Sequence, residues 1–246
     1  MPRDISVIIA AAGQSKRFAD DHFKKPFIRL DQKAVWLHSA ERFLNRDDVD
    51  QVILVISPAD REEFLSRFGP NVAILGIDVV DGGKERADSV ECGLKRVKPE
   101  SRLVVVHDAA RPCTTEDEIE AVIEAAREHG AAILGTPVTS TLKTVQGKIV
   151  QATVPRTDKW LAQTPQVFRR DWLEQAFGDR GDRQPTDEAE LLEMAGHPVQ
   201  VVTGSPWNIK ITTRRDLKLA AAILKSMPAP KLDAPIHPFA DDNLWR

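Results

Sequence analysis

The chain has 246 residues, and its 34 lysines and arginines against 37 aspartates and glutamates give a formal net charge of -3. This balance excludes the strongly basic surface that non-specific nucleic-acid binding requires. No apolar run approaches the length of a membrane span, and the N-terminus lacks the features of a signal peptide. We therefore expect a cytoplasmic protein with no nucleic-acid or membrane partner.

Apolar runs alternate with helical patterns through the first half of the chain. Residues 5–12 and 51–56 predict strands buried in a parallel sheet, and residues 36–44 and 59–68 predict helices. Residues 72–80 predict one or two short strands. This alternation predicts a mostly parallel, doubly wound sheet with right-handed crossovers.

A loop with basic residues follows the first strand, at the place where a nucleotide loop would lie. Gly13 is followed by Lys16 and Arg17, and then by Lys24 and Lys25. The loop matches neither the Gly-x-Gly-x-x-Gly fingerprint nor the P-loop. Basic residues gathered at a strand's carboxyl end nevertheless favour a polyphosphate ligand over a merely solvated surface.

A second glycine-containing loop covers residues 81–90. Gly82 and Gly83 would let the backbone approach a flat ligand such as a base, and Ser89 lies in the first turn of the next helix. The same residues also suit an ordinary turn and a polar helix position. The composition does not decide between the two interpretations.

The stretch 103–112 combines a β-branched strand with Asp108, two alanines and Arg111. Ligands of open α/β sheets bind at the carboxyl ends of the strands. Asp108 at that place suits either a metal-positioning carboxylate or a local cap of the turn. His107 should point to the opposite side of the strand, so we interpret it as a core histidine.

The pattern changes in the second half of the chain. A helix over 116–128 and a strand over 131–135 precede an alternating, β-branched segment, 139–156, with Gln146-Gly147 at its middle. This segment predicts a hairpin. A hairpin inserted into a parallel α/β domain has little core of its own, so we expect it to pack on something else, such as a second subunit.

The remaining segments complete the predicted core. They are an extended piece over 161–168, a helix over 170–177, a helix capped at Thr186-Asp187-Glu188 and ending at Ala195, a strand over 199–202, and a final helix through Lys225. We interpret Asp187 and Glu188 as structural. The prediction is one Rossmann-like α/β domain over 1–226, with a β-hairpin arm at 139–156 and a proline-rich tail at 227–246.

Several motifs occur together in one order and resemble those of the 2-C-methyl-D-erythritol 4-phosphate cytidylyltransferase family. They are Ala-Ala-Gly-x-Ser-x-Arg-Phe (11–18), Asp-Gly-Gly-x-Glu-Arg-Ala-Asp-Ser-Val (81–90), Val-His-Asp-Ala-Ala-Arg-Pro (106–112), Thr-Pro-Gln (164–166), Thr-Asp-Glu-Ala (186–189) and Asn-Ile-Lys-Ile-Thr (208–212). The resemblance spans roughly residues 5 to 225.

The resemblance implies transfer of CMP from CTP to 2-C-methyl-D-erythritol 4-phosphate with Mg²⁺, in isoprenoid precursor synthesis by a homodimer joined through the arm. The implied catalytic cations are Arg17, Lys25 and Lys210, and the implied metal-side carboxylate is Asp108. The implied nucleotide-binding residues are Ala11, Ala12, Gly13, Gly82, Gly83 and Ser89. The implied substrate-binding residues are Ala109, Arg111, Thr141, Arg156 and Thr164, of which Thr141 and Arg156 would serve the partner's site.

Two departures from the family pattern matter. The choice of Lys25 over Lys24 depends on the alignment, since the family often has Pro-Lys-Gln-Phe/Tyr there. Ser140 stands where the family often has Asp beside the arm threonine. The missing carboxylate would lie beside the sugar hydroxyls, so this departure leaves the identity of the polyol phosphate substrate open.

Other functions remain open from the sequence. A ribitol 5-phosphate cytidylyltransferase shares most of these motifs. A nicotinamide-dependent oxidoreductase is disfavoured by the missing glycine fingerprint, and a non-catalytic nucleotide-binding module is disfavoured by the set of cations with Asp108.

Overall fold

The computed structural model describes residues 3–13 and 27–227. Residues 14–26, with the predicted catalytic Arg17 and Lys25, and residues 228–246 of the predicted tail lie outside the described residues. The strands are β1 Ile5–Ala10, β2 Arg29–Leu30, β3 Lys33–Ala34, β4 Val49–Ile56, β5 Asp78–Asp81, β6 Leu103–Asp108, β7 Ala131–Pro137, β8 Leu142–Gln146, β9 Ile149–Val154, β10 Trp160–Arg169 and β11 Gln200–Thr203. The helices are α1 Val35–Leu44, α2 Arg61–Leu75, α3 Arg86–Leu94, α4 Glu116–His129, α5 Arg170–Gly178, α6 Glu188–Met194 and α7 Arg214–Ser226.

The described residues form a seven-stranded sheet in the order β11-β7-β10-β6-β1-β4-β5. Every neighbouring pair is parallel except those that β10 makes with β6 and β7. The predicted mostly parallel α/β fold is therefore confirmed. Because β10 runs antiparallel to β6, the amino-terminal half of β10 lies beside the carboxyl end of β6.

Helices cover both faces of this sheet. Side chains alternate along a strand, so Val105 of β6 joins the core with α1, α2 and α4, whereas Val104 and Val106 join the core with α3, α5 and α6. The same alternation separates the next two residues. The ring of His107 packs edge-on against Phe43 of α1, and Asp108 faces the side where α3 and α6 lie.

The segment after β4 differs from the prediction. Residues 72–75 belong to α2, and only β5 forms a strand in the region where one or two strands were expected. Phe64, Phe68, Val72 and Leu75 share one helical face that packs on the core, which carries the helix past Pro70. The free energy gained by burying this face therefore outweighs the cost of a proline inside the helix.

Capping residues fix the ends of several helices. Thr115 and Thr213 accept hydrogen bonds from the backbone N–H groups of Glu118 and Asp216, and each pair forms a reciprocal capping box. Helix α4 ends at Gly130, whose φ of 88° suits glycine. In the described part of the chain, no helix combines the length and the apolar character that crossing a bilayer would need.

The predicted hairpin is confirmed as the antiparallel pair β8 and β9. Its turn includes Gly147 at a φ of 61°, a left-handed conformation that glycine adopts without strain. Most of its side chains are exposed, among them the apolar side chains of Val145, Ile149 and Val150. The hairpin is thus an arm with an apolar surface of its own.

Candidate active site

Asp108 ends β6 and lies within a cluster of basic side chains. Its Oδ2 lies 2.7 Å from Nζ of Lys210 and 3.5 Å from Nε of Arg111, and its Oδ1 lies 3.3 Å from Nε of Arg86. The carboxylate is buried, while the Lys210 side chain is 43% exposed. The structure therefore brings the predicted Asp108, Arg111 and Lys210 together at the carboxyl edge of the sheet.

The charge state of Asp108 follows from two opposed effects. Burial alone would raise the pKa of its carboxyl group, but the nearby charges of Arg86, Lys210 and Arg111 outweigh burial and hold the pKa well below its usual range. Asp108 is therefore a fixed anion. It can orient Lys210 and Arg111 and can bind a further cation.

Thr164 and His107 fix the backbone at Asp108. The Thr164 hydroxyl accepts a hydrogen bond from the Asp108 N–H and lies 3.1 Å from Nδ1 of His107, whose Nε2 lies 3.1 Å from the Arg111 carbonyl. A carbonyl can only accept, so Nε2 carries the proton and Nδ1 accepts from Thr164. Burial lowers the pKa of His107 to about 4, which keeps the ring neutral. The interpretation of His107 as a core histidine is confirmed.

Asn208 holds the last motif against this site. It is completely buried, its carbonyl accepts from Arg111 at 2.8 Å, and its side-chain amide donates to the Thr164 carbonyl at 2.9 Å. In the same motif, the N–H of Ile211 donates a hydrogen bond to the Ala110 carbonyl. These bonds explain why Lys210 lies beside Asp108 although 102 positions separate them in the sequence.

The second glycine-containing loop begins directly after β5. A Cβ added to Gly82 would lie 2.7 Å from Oγ of Ser89 and 2.8 Å from Cβ of Ala12, so only glycine fits there. The Ser89 hydroxyl donates to the Glu85 carbonyl at 2.9 Å and is buried. The loop thus packs against the residues that follow β1, and it brings Ala12, Gly82 and Ser89 of the predicted nucleotide site together.

The remaining predicted residues occupy varied environments. Ala11 is buried, with its N–H bonded to the Val55 carbonyl, whereas Gly13 is exposed. Ala109 is also buried, and its carbonyl accepts from Ser39 at 2.9 Å. Gly83 packs closely against Asp88.

Thr141 and Arg156 lie at the base of the arm and are exposed. The guanidinium of Arg156 donates a hydrogen bond to the Thr139 carbonyl, which joins the two ends of the arm. No hydrogen bond or ion pair links either residue to the Asp108 cluster within the described ranges. A role for them in the partner's site stays a prediction.

The family model for IspD, 2-C-methyl-D-erythritol 4-phosphate cytidylyltransferase, matches residues 5–226. The chain belongs to this family. The resemblance inferred from the motifs is therefore confirmed.

Relatives in the family match most of the chain. The 2-C-methyl-D-erythritol 4-phosphate cytidylyltransferase of Rhodopirellula baltica is 42% identical over 89% of this chain and 94% of its own length, and that of Halalkalibacterium halodurans is 40% identical over 90% and 97%. The crystal structure of the Thermus thermophilus enzyme aligns with a TM-score of 0.75 at 30% identity over 90% of this chain and 99% of that structure.

Two residues of the site lay inside family motifs but received no catalytic role from the sequence. Arg86 ion-pairs with Asp108, and its Nη1 lies 2.7 Å from Oε1 of Glu188. Glu188 is completely buried. Burial raises its pKa, and the charge of Arg86 opposes that rise. The sequence did not reveal this ion pair, because its two residues are 102 positions apart and only the fold brings them together beside Asp108.

The donor set at Asp108 restricts what metal the site could hold. Among the described residues, no group of three or more histidine, cysteine, aspartate or glutamate side chains could hold a metal ion. One carboxylate suits magnesium, which proteins commonly bind through one or two carboxylates while substrate phosphates and water complete its shell. The residues therefore fit a magnesium ion that arrives with phosphate.

Proposed function

We propose that this member of the family transfers CMP from CTP to 2-C-methyl-D-erythritol 4-phosphate, giving CDP-methylerythritol and pyrophosphate. The observation that carries the proposal is the ion-paired group of Asp108, Lys210 and Arg111 at the carboxyl edge of β6. Ligands of open α/β sheets bind at this edge, and cations there suit an anionic substrate. The family relationship supports this choice of substrates.

The reaction is an in-line displacement. A phosphate oxygen of methylerythritol phosphate forms a bond to the α-phosphorus of CTP, while the bond from that phosphorus to the oxygen bridging the α- and β-phosphates breaks. Pyrophosphate leaves with the electron pair. The attacking oxygen is already anionic, so no general base is required. Lys210 and Arg111 would orient the phosphates and neutralise the charge that develops in the transition state.

The nucleotide would lie between the loop after β1 and the loop after β5. Ala11, Ala12 and Gly13 would approach the nucleotide from the first loop, and Gly82, Gly83 and Ser89 would surround the base and ribose from the second. The close approach of Gly82 to Ala12 and Ser89 supports this arrangement. Arg17 and Lys25, outside the described residues, would contact the triphosphate.

Nucleotidyltransferases commonly use a divalent metal ion, and we propose Mg²⁺ held by Asp108. Bound with the triphosphate, Mg²⁺ would neutralise phosphate charge and polarise the α-phosphate. Asp108 would contribute its carboxylate, while Ala109 and Thr164 would fix the turn that carries it.

The arm would join two chains in a homodimer. The side chain of Ile149 is 70% exposed and that of Val150 is 57% exposed, and a second chain would remove this apolar surface from water. Thr141 and Arg156 would then contact the sugar phosphate in the partner's site. Their exposure at the base of the arm supports this role.

Pyrophosphate release tests the proposal directly. The purified chain is assayed with Mg²⁺ and CTP, and 2-C-methyl-D-erythritol 4-phosphate is compared with ribitol 5-phosphate. We expect fast release with the former and little with the latter. The reverse preference would favour a ribitol 5-phosphate enzyme and would give Ser140 a part in that choice of substrate. Silence with both substrates would contradict transferase activity.

A further inference from the structure

Arg86 joins two carboxylates that belong to different elements. Its Nη1 lies 2.7 Å from Oε1 of Glu188, and its Nε lies 3.3 Å from Oδ1 of Asp108. A guanidinium is planar and stays charged, so its position fixes both contacts together. The shorter contact is the one with Glu188, and Arg86 is therefore drawn more strongly toward Glu188 than toward Asp108.

Helices α3 and α6 both cover the same face of the sheet. Ala87 and Val90 of α3 and Leu191 and Leu192 of α6 share the core on the face of the sheet that Asp108 also faces. Glu188 is completely buried at the start of α6. A buried carboxylate requires a charged partner, and within the described ranges only Arg86 pairs with Glu188.

The charges at Asp108 give this contact a consequence. Arg86, Arg111 and Lys210 all attract the Asp108 carboxylate, and each of them competes with any further cation for its oxygens. Without the countercharge of Glu188, Arg86 would interact with Asp108 at full strength in a poorly hydrated site. The contact with Glu188 weakens that competition.

We infer that Glu188 is a positioning residue that acts through Arg86. It holds the guanidinium back from Asp108 and so keeps that carboxylate available to the magnesium ion that enters with CTP. This inference rests on the proposed function. The inference gives Glu188, the first residue of α6, a part in metal and nucleotide binding although the residue is completely buried.

The test is the magnesium dependence of CTP binding, measured by calorimetry without sugar phosphate so that no turnover occurs. Glu188→Gln keeps the shape of the side chain and removes its charge. It also breaks no further hydrogen bond, because Oε2 of Glu188 has no partner among the described residues. We expect the gain in CTP affinity that MgCl₂ provides to fall about tenfold or more, as is usual when a group behind a metal ligand is changed. The affinity for CTP without Mg²⁺ should stay near that of the wild type.

The double variant Arg86→Gln/Glu188→Gln separates this role from a purely structural one. Removing both charges ends the competition at Asp108, so we expect the magnesium-dependent gain to return to within about threefold of the wild type. A structural role predicts a double variant at least as impaired as Glu188→Gln. That result, or an unchanged magnesium dependence in Glu188→Gln, would overturn the inference.

Two further variants complete the design. Glu174→Gln is the matched control, because Glu174 also lies 2.7 Å from an arginine, Arg170, but does so on α5 and contacts none of the site residues. It should behave as the wild type.

Glu188→Asp tests the inference if Glu188→Gln does not fold. This variant keeps the charge, but its shorter side chain moves the carboxylate away from Arg86. A reduced magnesium dependence supports the inference, and an unchanged one contradicts it. A wild type that binds no CTP would instead refute the proposed function.

Discussion

The backbone N–H of Asp108 donates a hydrogen bond to the hydroxyl of Thr164, with the two atoms 3.0 Å apart. The bond joins the end of β6 to the irregular stretch of β10 between Ala162 and Gln166, and it fixes the backbone that carries the Asp108 carboxylate. The same hydroxyl donates to His107. One side chain thus orients the central carboxylate and satisfies a buried histidine.

Replacing Thr164 with valine should destabilise the fold and weaken activity together. The change keeps the shape but leaves the Asp108 N–H and His107 Nδ1 without a partner, at a cost of about 1–3 kcal/mol in the free energy of unfolding. Urea unfolding and turnover measure the two effects. Thr164→Ser keeps the hydroxyl and is the control. Equal stability of the two variants would contradict the assigned network.

His107 should make stability depend on pH. Its pKa is lowered from 6.5 to about 4 by burial, so the unfolded chain binds the proton more readily than the folded one. The contribution to stability is complete above pH 6.5 and is lost as pH falls from 6.5 toward 4, by roughly 3 kcal/mol in total. Urea unfolding at pH 7.5 and 4.5 measures the loss.

The variant His107→Gln isolates this effect from other titrating groups. Glutamine can donate to Arg111 and accept from Thr164 but cannot be protonated in this range, so its stability should fall less on acidification. His129→Gln, which removes an exposed histidine at the end of α4, is the control and should lose as much stability as the wild type. If all the chains lost the same amount, His107 would not be the group responsible.

Lys210→Met should reduce turnover by about 100-fold or more, because the transition state loses a cation aimed at its phosphates. The side chain is 43% exposed, so the melting temperature should change little. Lys218→Met, an exposed lysine on α7, is the control and should keep wild-type turnover. Near-normal turnover of Lys210→Met would remove Lys210 from the proposed machinery.

Arg156→Ala should raise KM for methylerythritol phosphate while leaving kcat and KM for CTP nearly unchanged, if Arg156 only binds the sugar phosphate. Steady-state kinetics with each substrate varied in turn give the three constants. Lys148→Ala, at the turn of the same arm, controls for general disturbance of the hairpin. A change in KM for CTP alone would contradict a role of Arg156 in binding the sugar phosphate.

Val150→Asp should convert a dimer into a monomer, because it adds a charge to the apolar surface of the arm. Light scattering gives the mass of each species. Ile74→Asp is the matched control, since Ile74 and Val150 are both 57% exposed but Ile74 lies on α2. A monomeric wild type would contradict the proposed dimer. Equal loss of dimer in the two variants would show that a charge at any exposed apolar position has this effect, and would not support an interface at the arm.

Several elements could be predicted because their signals are local. The β-branched run of β6 and the turn at Gly147 each depend on neighbouring residues. The extension of α2 beyond Phe68 could not be predicted, because packing of Val72 and Leu75 on the core decides whether the helix continues past Pro70.

Composition, periodicity and motifs are written along the chain, so they were enough to predict the α/β class, the hairpin, the family and the candidate site residues Asp108, Arg111 and Lys210. The antiparallel insertion of β10 beside β6, which brings Thr164 to Asp108, and the placement of the starts of α3 and α6 on one face of the sheet, which brings Glu188 to Arg86, follow from tertiary packing alone. These contacts join residues far apart in sequence. Their geometry depends on how buried faces pack, and no local pattern encodes that.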